Sequence, residues 1–266
     1  MMTDPTQRQD DLRRIEAALR EAEQALAPFT PGAIAVERKA GGDPVTEADQ
    51  RVDDVLRRLL PEPGEGWLSE ETVDDHARLD KRRAWVVDPL DGTREFVEGI
   101  PQWSVSIGLV EDGQPVAGGI LNPATGQLVL GAAGHGVTLN GEPAAVSTRE
   151  SLEGAVVLAS NSEIRRGEWK RFANHGIEVR PCGSVAYKLA LVAVGLVDAT
   201  WTLVPKNEWD VVAGIALVRA AGGIIEPKGE PDRAFNQPSP LLEGLLAYPP
   251  QLRAPIHELI ARTEGL

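Results

Sequence analysis

Apolar residues recur at Leu12, Ile15, Leu19, Ala22 and Leu26, with Arg and Glu between them. That spacing lays one apolar stripe along a helix over residues 8–27, and Pro28 ends it. A second helix is predicted from an N-cap at Thr46, with Asp49 three places on. It runs through Val52, Val55, Leu56, Leu59 and Leu60 to Pro61. Trp85 to Val87 has the β-branched and aromatic character of a buried strand. Pro89 has no N–H for a central ladder, so this strand is expected to stop near Asp88. From Trp103 to Ala133 the period changes to two. Trp103–Val110, Pro115–Leu121 and Gln127–Ala133 read as antiparallel strands, parted by turns at Asp112-Gly113 and Asn122–Gly126.

The second half alternates element types. Ala155–Ala159 is predicted as a strand, Glu163–Ala173 as a helix, Ile177–Arg180 as a short strand, and Gly183–Val194 as a helix. Asp198–Leu203 and Gly223–Ile225 are predicted strands on either side of a helix that follows Asp210. Leu245–Tyr248 and Pro250–Thr263 form a last strand and helix. The fold class is therefore mixed, α+β with α/β character. A soft boundary near residue 145 divides an N-terminal half, 1–145, from a C-terminal half, 146–266. The site is expected in the cleft between them.

Composition narrows the setting. The chain has 266 residues, 42% of them hydrophobic, enough for a large core. Its single cysteine, Cys182, excludes an internal disulfide framework. No apolar run approaches the roughly 20 residues that span a bilayer, and residues 1–10 hold no hydrophobic signal core. These features predict a soluble cytoplasmic protein with no membrane partner. A net charge of −13 argues against a nucleic-acid polymer as partner.

The acids are more informative than their sum. Asp88 and Asp91 follow the apolar run Trp85–Val87, and Gly92 permits a tight turn after them. Glu70 and Glu71 follow Trp67-Leu68-Ser69, and Asp210 precedes the helical run Val211–Val218. Taken singly, each has an ordinary explanation: a turn at Asp91-Gly92, a solvated loop at Glu70-Glu71, a helix cap at Asp210 or Asp49. Together, each abuts sequence that should be buried. If they converge, each pair at 4 Å repels by about 4 kcal/mol at an effective dielectric of 20. Protonation or bound cations must then relieve the strain. An all-oxygen donor set selects hard ions, and Mg²⁺ is the usual one beside phosphate. Such ions among carboxylates are suited to hydrolysing a phosphomonoester.

The order Asp49, Glu70-Glu71, Asp88-Pro89-Leu90-Asp91-Gly92-Thr93, Trp209-Asp210, with Gly222-Gly223 beyond, resembles the inositol monophosphatase superfamily over about residues 10–262. The resemblance implies a layered α-β-α-β-α sandwich, commonly a homodimer, and a Mg²⁺-dependent phosphatase inhibited by Li⁺. Two or three Mg²⁺ ions are implied, with Mn²⁺ as a substitute. Glu70, Asp88 and the Leu90 carbonyl would hold the first. Asp88, Asp91 and Asp210 would hold the second, and Glu70 would help with a weaker third. Asp49 and Thr93 would orient the attacking water, with Glu70 assisting catalysis and Glu71 supporting the ligands from behind. Gly92 and Thr93 would hold the phosphate through backbone N–H groups. Haloacid-dehalogenase phosphatases place a nucleophilic Asp two residues before the second Asp of their motif. Pro89 stands there, so water is the expected nucleophile.

The substrate is less determined. Arg94-Glu95-Phe96 resembles the 3′(2′),5′-bisphosphate nucleotidase branch. Inositol monophosphatases carry an acid about seven residues before the last metal Asp, and Leu203 stands there unless a shift supplies Glu208. The leading candidates are 3′-phosphoadenosine 5′-phosphate and inositol monophosphate. Fructose 1,6-bisphosphate or a broad sugar-phosphate activity is the alternative, and a degenerate regulatory protein is the non-enzyme alternative. Gly183, Ser184 and Lys188 are candidate substrate contacts. Lys188 reads first as a solvated helix lysine and second as a cation reaching another phosphate. Trp103 reads first as core and second as a stacking platform.

Overall fold

The structure is a computed structural model that describes residues 5–38 and 44–263. Residues 1–4, part of the segment read as lacking a signal core, lie outside it. In chain order, helix α1 (Pro5–Leu26) leads to a short ladder of β1 (Glu37–Arg38) with β2 (Pro44–Val45), then to α2 (Glu47–Leu59). The larger sheet follows: β3 (Gly66–Ser69), β4 (Arg83–Asp91), β5 (Ser104–Glu111), β6 (Gln114–Asn122), β7 (Gln127–Ala132), β8 (Gly136–Leu139) and β9 (Glu142–Ala144). Its strands lie in sequence order, with the short helix α3 (Thr93–Glu98) between β4 and β5. Only the β3–β4 pair is parallel; the others are antiparallel.

The rest of the chain gives β10 (Val156–Ser160), α4 (Asn161–Arg165), β11 (Glu178–Cys182), α5 (Val185–Ala193), β12 (Ala199–Trp201) and β13 (Lys206–Asn207). Helix α6 (Glu208–Ala220), β14 (Ile224–Pro227), β15 (Leu241–Leu242), β16 (Leu245–Tyr248) and α7 (Arg253–Arg262) complete it. The second sheet has the order β11-β10-β12-β16-β14, and β13 pairs with β15.

Three apolar clusters define the layers. One joins α1 and α2 to the first face of the larger sheet, through Ile15, Leu19, Val52, Leu56, Trp85 and Leu109. The second surrounds α5 and α6 between the sheets, through Val86, Ile120, Leu189, Val212, Ile215 and Ala247. The third covers the outer face of the smaller sheet, where Trp169, Phe172, Trp201, Ile256 and Leu259 meet. This is the α-β-α-β-α sandwich.

The middle layer sits unusually close to the larger sheet. A Cβ on Gly108 would fall 2.6 Å from Val212 Cγ1, and one on Gly118 would fall 2.5 Å from the Ala213 carbonyl oxygen. Bare backbone in β5 and β6 therefore lets α6 lie directly on the sheet.

Three expectations about element limits need correction. The strand expected to end near Asp88 runs to Asp91. Pairing of β4 with β3 covers only Ala84–Val87, and the ladder to β5 shifts register between Asp88 and Asp91. Pro89 lies within that irregularity, where its missing N–H breaks no ladder. The single helix expected over 163–173 is instead α4 and a 3₁₀ turn, Glu168–Phe172, parted by Gly167 at φ 79°. The last helix begins as a 3₁₀ turn, Pro250–Leu252, because its prolines remove N–H donors from the first turns.

Candidate active site

The end of β4 sets the site. Pairing with β3 ends at Ser69–Val87, and the Glu70 N–H donates to the Val87 carbonyl at 3.4 Å. Glu70 is thus carried to the strand edge from which Asp88 and Asp91 project. The Asp88 side chain is buried and accepts the Leu90 N–H at 3.0 Å. Gly92, at φ 94°, turns the chain into α3; a Cβ there would lie 2.9 Å from the Gln102 carbonyl oxygen. Asp91 Oδ2 accepts the Ser184 hydroxyl and the Ala186 N–H, both at 2.6 Å, which ties the start of α5 to the end of β4. Asp210 is the third residue of α6 rather than its cap. Asn207 is the cap, and Asp210 Oδ2 accepts its N–H at 2.9 Å.

Asp49 forms the same box on α2. Its Oδ2 accepts the N–H and the hydroxyl of Thr46 at 2.8 and 2.7 Å. Its Oδ1 lies 2.9 Å from Thr93 Oγ1, which is also 3.0 Å from the Leu90 carbonyl. The Thr93 hydroxyl has one proton and two acceptors, so its lone pairs are turned elsewhere.

Glu70, Asp88, Leu90, Asp91, Gly92, Thr93, Gly183 and Asp210 all line one cleft of about 400 Å³. Asp49 stands one hydrogen bond behind it, through Thr93. Glu71 does not line it; its N–H donates to Ser69 Oγ at 3.3 Å. Two candidate contacts stand beneath the wall. Ser184 caps α5 through the Tyr187 N–H as well as holding Asp91. Lys188 is wholly buried, not solvated, with its ammonium 2.6 Å from Ser160 Oγ, and burial lowers its pKa. Trp103 packs in the core, its ring edge-on to Phe96 at 4.9 Å. Glu208 is buried too. It accepts the N–H groups of Asn236 and Gln237 at 2.7 and 3.2 Å, so it holds a loop and supplies no acid to the cleft.

The floor is electrostatically frustrated. Burial raises Asp88 well above the ordinary carboxylate range, and the fields of Glu70, Asp91 and Asp210 add to the rise. Burial also pushes Asp91 up to about 6, against the hydrogen bonds from Ser184 and Ala186. Asp210 is pushed up to about 8 by burial and by Asp91 and Glu70, with Lys206 opposing. Asp49 is raised by burial in the same direction. These are oxygen donors short of positive charge, the chemistry of a hard-cation site. Among the described residues no three His, Cys, Asp or Glu side chains are already drawn in around one ion position. Repelling carboxylates are expected to stand apart until a cation comes between them.

The rim carries charges that the sequence did not single out. Arg165 and Lys206 line the cleft, and no hydrogen bond or ion pair engages either charged group among the described residues. Glu95 and Asn161 line it as well. Lys206 stands four residues before Asp210, so its proximity was readable. Nothing local marks Asn161, which reaches the cleft only because β10 ends there.

The chain matches the inositol monophosphatase family over residues 9–262. It is 37% identical over 201 residues to an inositol-1-monophosphatase of Mesorhizobium japonicum, covering 72% of this chain and 75% of that one. It is 33% identical over 220 residues to a fructose-1,6-bisphosphatase/inositol-1-monophosphatase of Thermotoga maritima, covering 79% and 82% of the two. The solved structure of a Thermotoga maritima IMPase superposes with a TM-score of 0.82 at 27% identity, over 96% of this chain and 98% of that one. Fold and matches together define a hydrolase of phosphoric monoesters. The chain belongs to the inositol monophosphatase family. Among the described residues no helix is long and apolar enough to cross a membrane.

Proposed function

We propose that this enzyme uses Mg²⁺ to hydrolyse a small phosphomonoester that carries a second anionic group, with 3′-phosphoadenosine 5′-phosphate the first candidate. One observation carries the choice: an acidic floor beneath a rim where Arg165 and Lys206 make no salt bridge among the described residues. The floor suits cations and, through them, the reacting phosphoryl group. The rim suits a further negative charge. A neutral polyol would call for acceptors at the Leu203 and Glu208 positions, and Glu208 is occupied elsewhere.

Glu70, Asp88 and the Leu90 carbonyl would hold one ion. Asp88, Asp91 and Asp210 would hold another, with Glu70 shared toward a weaker third. Mg²⁺ bound there supplies Lewis acidity toward the phosphoryl group and the attacking water. The residues do the rest. The Thr93 hydroxyl, held by Asp49 Oδ1, turns its lone pairs toward the cleft and orients the water. Asp49, made more basic by burial, accepts the proton that Thr93 passes on. Backbone N–H groups at Gly92 and Thr93 hold phosphoryl oxygens. Pro89 offers no nucleophile, so no covalent phospho-enzyme forms.

The test is phosphate release from 3′-phosphoadenosine 5′-phosphate, inositol 1-phosphate and fructose 1,6-bisphosphate, with and without Mg²⁺. Mg²⁺-dependent turnover with the highest kcat/KM on the nucleotide is expected. A preference for inositol 1-phosphate removes the second-anion reading, and no turnover on any ester removes the enzyme reading.

A further inference from the structure

The far wall of the cleft holds two oxygen acceptors that none of the assigned roles uses. Asn161 opens α4 at the end of β10. Its amide nitrogen donates to Glu95 Oε1 at 2.8 Å and to Gln102 Oε1 at 3.1 Å. Both amide protons are thereby spent, and two acceptors fix which end of the amide is nitrogen. The Asn161 oxygen is turned the other way. It takes no hydrogen bond among the described residues, yet it is not enclosed without a partner, so it faces the cleft that Asn161 lines.

Its supports are rigid. Gln102 is held at both ends, accepting the Gly183 N–H at 3.1 Å and donating to the Pro181 carbonyl at 3.3 Å. Glu95 is only 8% exposed and lies over Gly183, where a Cβ would come 2.2 Å from its carboxyl carbon. Gly183 is therefore glycine to admit the Glu95 carboxylate. Glu95 Oε2, like the Asn161 oxygen, has no partner among the described residues. Glu95 sits two residues after Thr93 on α3 and lines the same cleft.

We infer that Asn161 Oδ1, its amide fixed in place by Glu95 and Gln102, accepts a hydrogen bond from a hydroxyl on the carbon next to the phosphoester. This rests on the proposed function and adds to it the feature that would separate hydroxylated esters from deoxy ones. A second metal ion is the poorer occupant, because Arg165, one turn along from Asn161, would repel it. A neutral donor suits an amide oxygen whose own protons are already spent.

Equilibrium binding with Ca²⁺ in place of Mg²⁺ tests this without turnover, using adenosine 3′,5′-bisphosphate and its 2′-deoxy counterpart. The protein should bind the 2′-hydroxyl form about tenfold more tightly, the scale of one well-made hydrogen bond. In Asn161→Ser the preference should fall to within about twofold. Glu95→Gln serves as a second variant and should cut the preference in the same direction. Equal binding of the two nucleotides by the unmodified protein overturns the subsite alone. Preference undiminished in both variants does the same. Failure to bind either nucleotide overturns the proposed substrate instead.

Discussion

Strand β4 carries opposite electrostatic arrangements at its two ends. Arg83, at its start, pairs with Asp11 at 2.5 Å, Glu65 at 3.0 Å and Glu111 at 2.8 Å, while Arg8 and Arg14 close the cluster from α1. Burial there pushes Glu65 up, but hydrogen bonds from Arg14, Trp85, the Glu62 N–H and Arg83 outweigh it and bring the group down to about 2. At the other end Asp88, Asp91 and Asp210 are raised, because burial and like charges have too little opposing them. Buried carboxylates gathered at the two ends of one strand thus serve two purposes. Charges balanced by the chain hold the fold together. Charges left unbalanced wait for something the chain does not contain.

This contrast can be broken at either end. Asp210→Asn should lower Mg²⁺-dependent kcat/KM by roughly 10³-fold; a loss below tenfold would remove Asp210 from the metal set. Arg83→Met should destabilise folding by about 3 kcal/mol, since it leaves only Arg8 and Arg14 to balance three buried or half-buried carboxylates. A urea midpoint unchanged from the parent protein would show that the pairs contribute nothing. Mg²⁺ at a hundredfold its dissociation constant should stabilise the protein by about 2.7 kcal/mol, read as a rise in Tm. Asp88→Asn, measured in EDTA, should stabilise the metal-free protein by roughly 1 kcal/mol, because it removes a carboxyl whose ionisation burial and its acidic neighbours oppose. Destabilisation instead would mean that the acids are not frustrated.

The two ends also differ in the sign of their pH dependence. The floor acids have folded pKa values above the unfolded ones, so the folded state holds more protons between about pH 4 and 8. Stability of the metal-free protein falls as pH rises across that window. Glu65 is depressed, so its contribution is present above the unfolded value of 4.5 and is lost as pH falls toward 2. Differential scanning at pH 6 and 8, with and without Mg²⁺, should show the larger Mg²⁺ shift at pH 8. Equal shifts would detach the ion from these carboxylates.

Much of this was legible in the sequence. The helix stripe at Leu12–Leu26, the period-two strands and the acids at the strand edge are local patterns, and the structure puts them where local rules expect. The failures share a physical cause. Pro89 ends a strand only where the ladder is unbroken, and here the ladder shifts register beside it. Charge predicts exposure for Lys188, yet its neighbours on α5 are apolar on all sides and carry it inside. Asn161 and Arg165 had no local signal, because only the end of a strand in the other sheet brings them to the cleft.

The bare patch on the larger sheet has a consequence for chemistry. Gly108 and Gly118 let α6 rest on backbone, and the first turn of that helix carries Asp210. The depth at which the helix beds down sets the reach of its carboxylate across to Asp88. One methyl group in the sheet interior, remote from the cleft, would lift the helix and widen the span between its carboxylate and Asp88. The distance between two acids of the cleft is thus gauged by side chains that were left out.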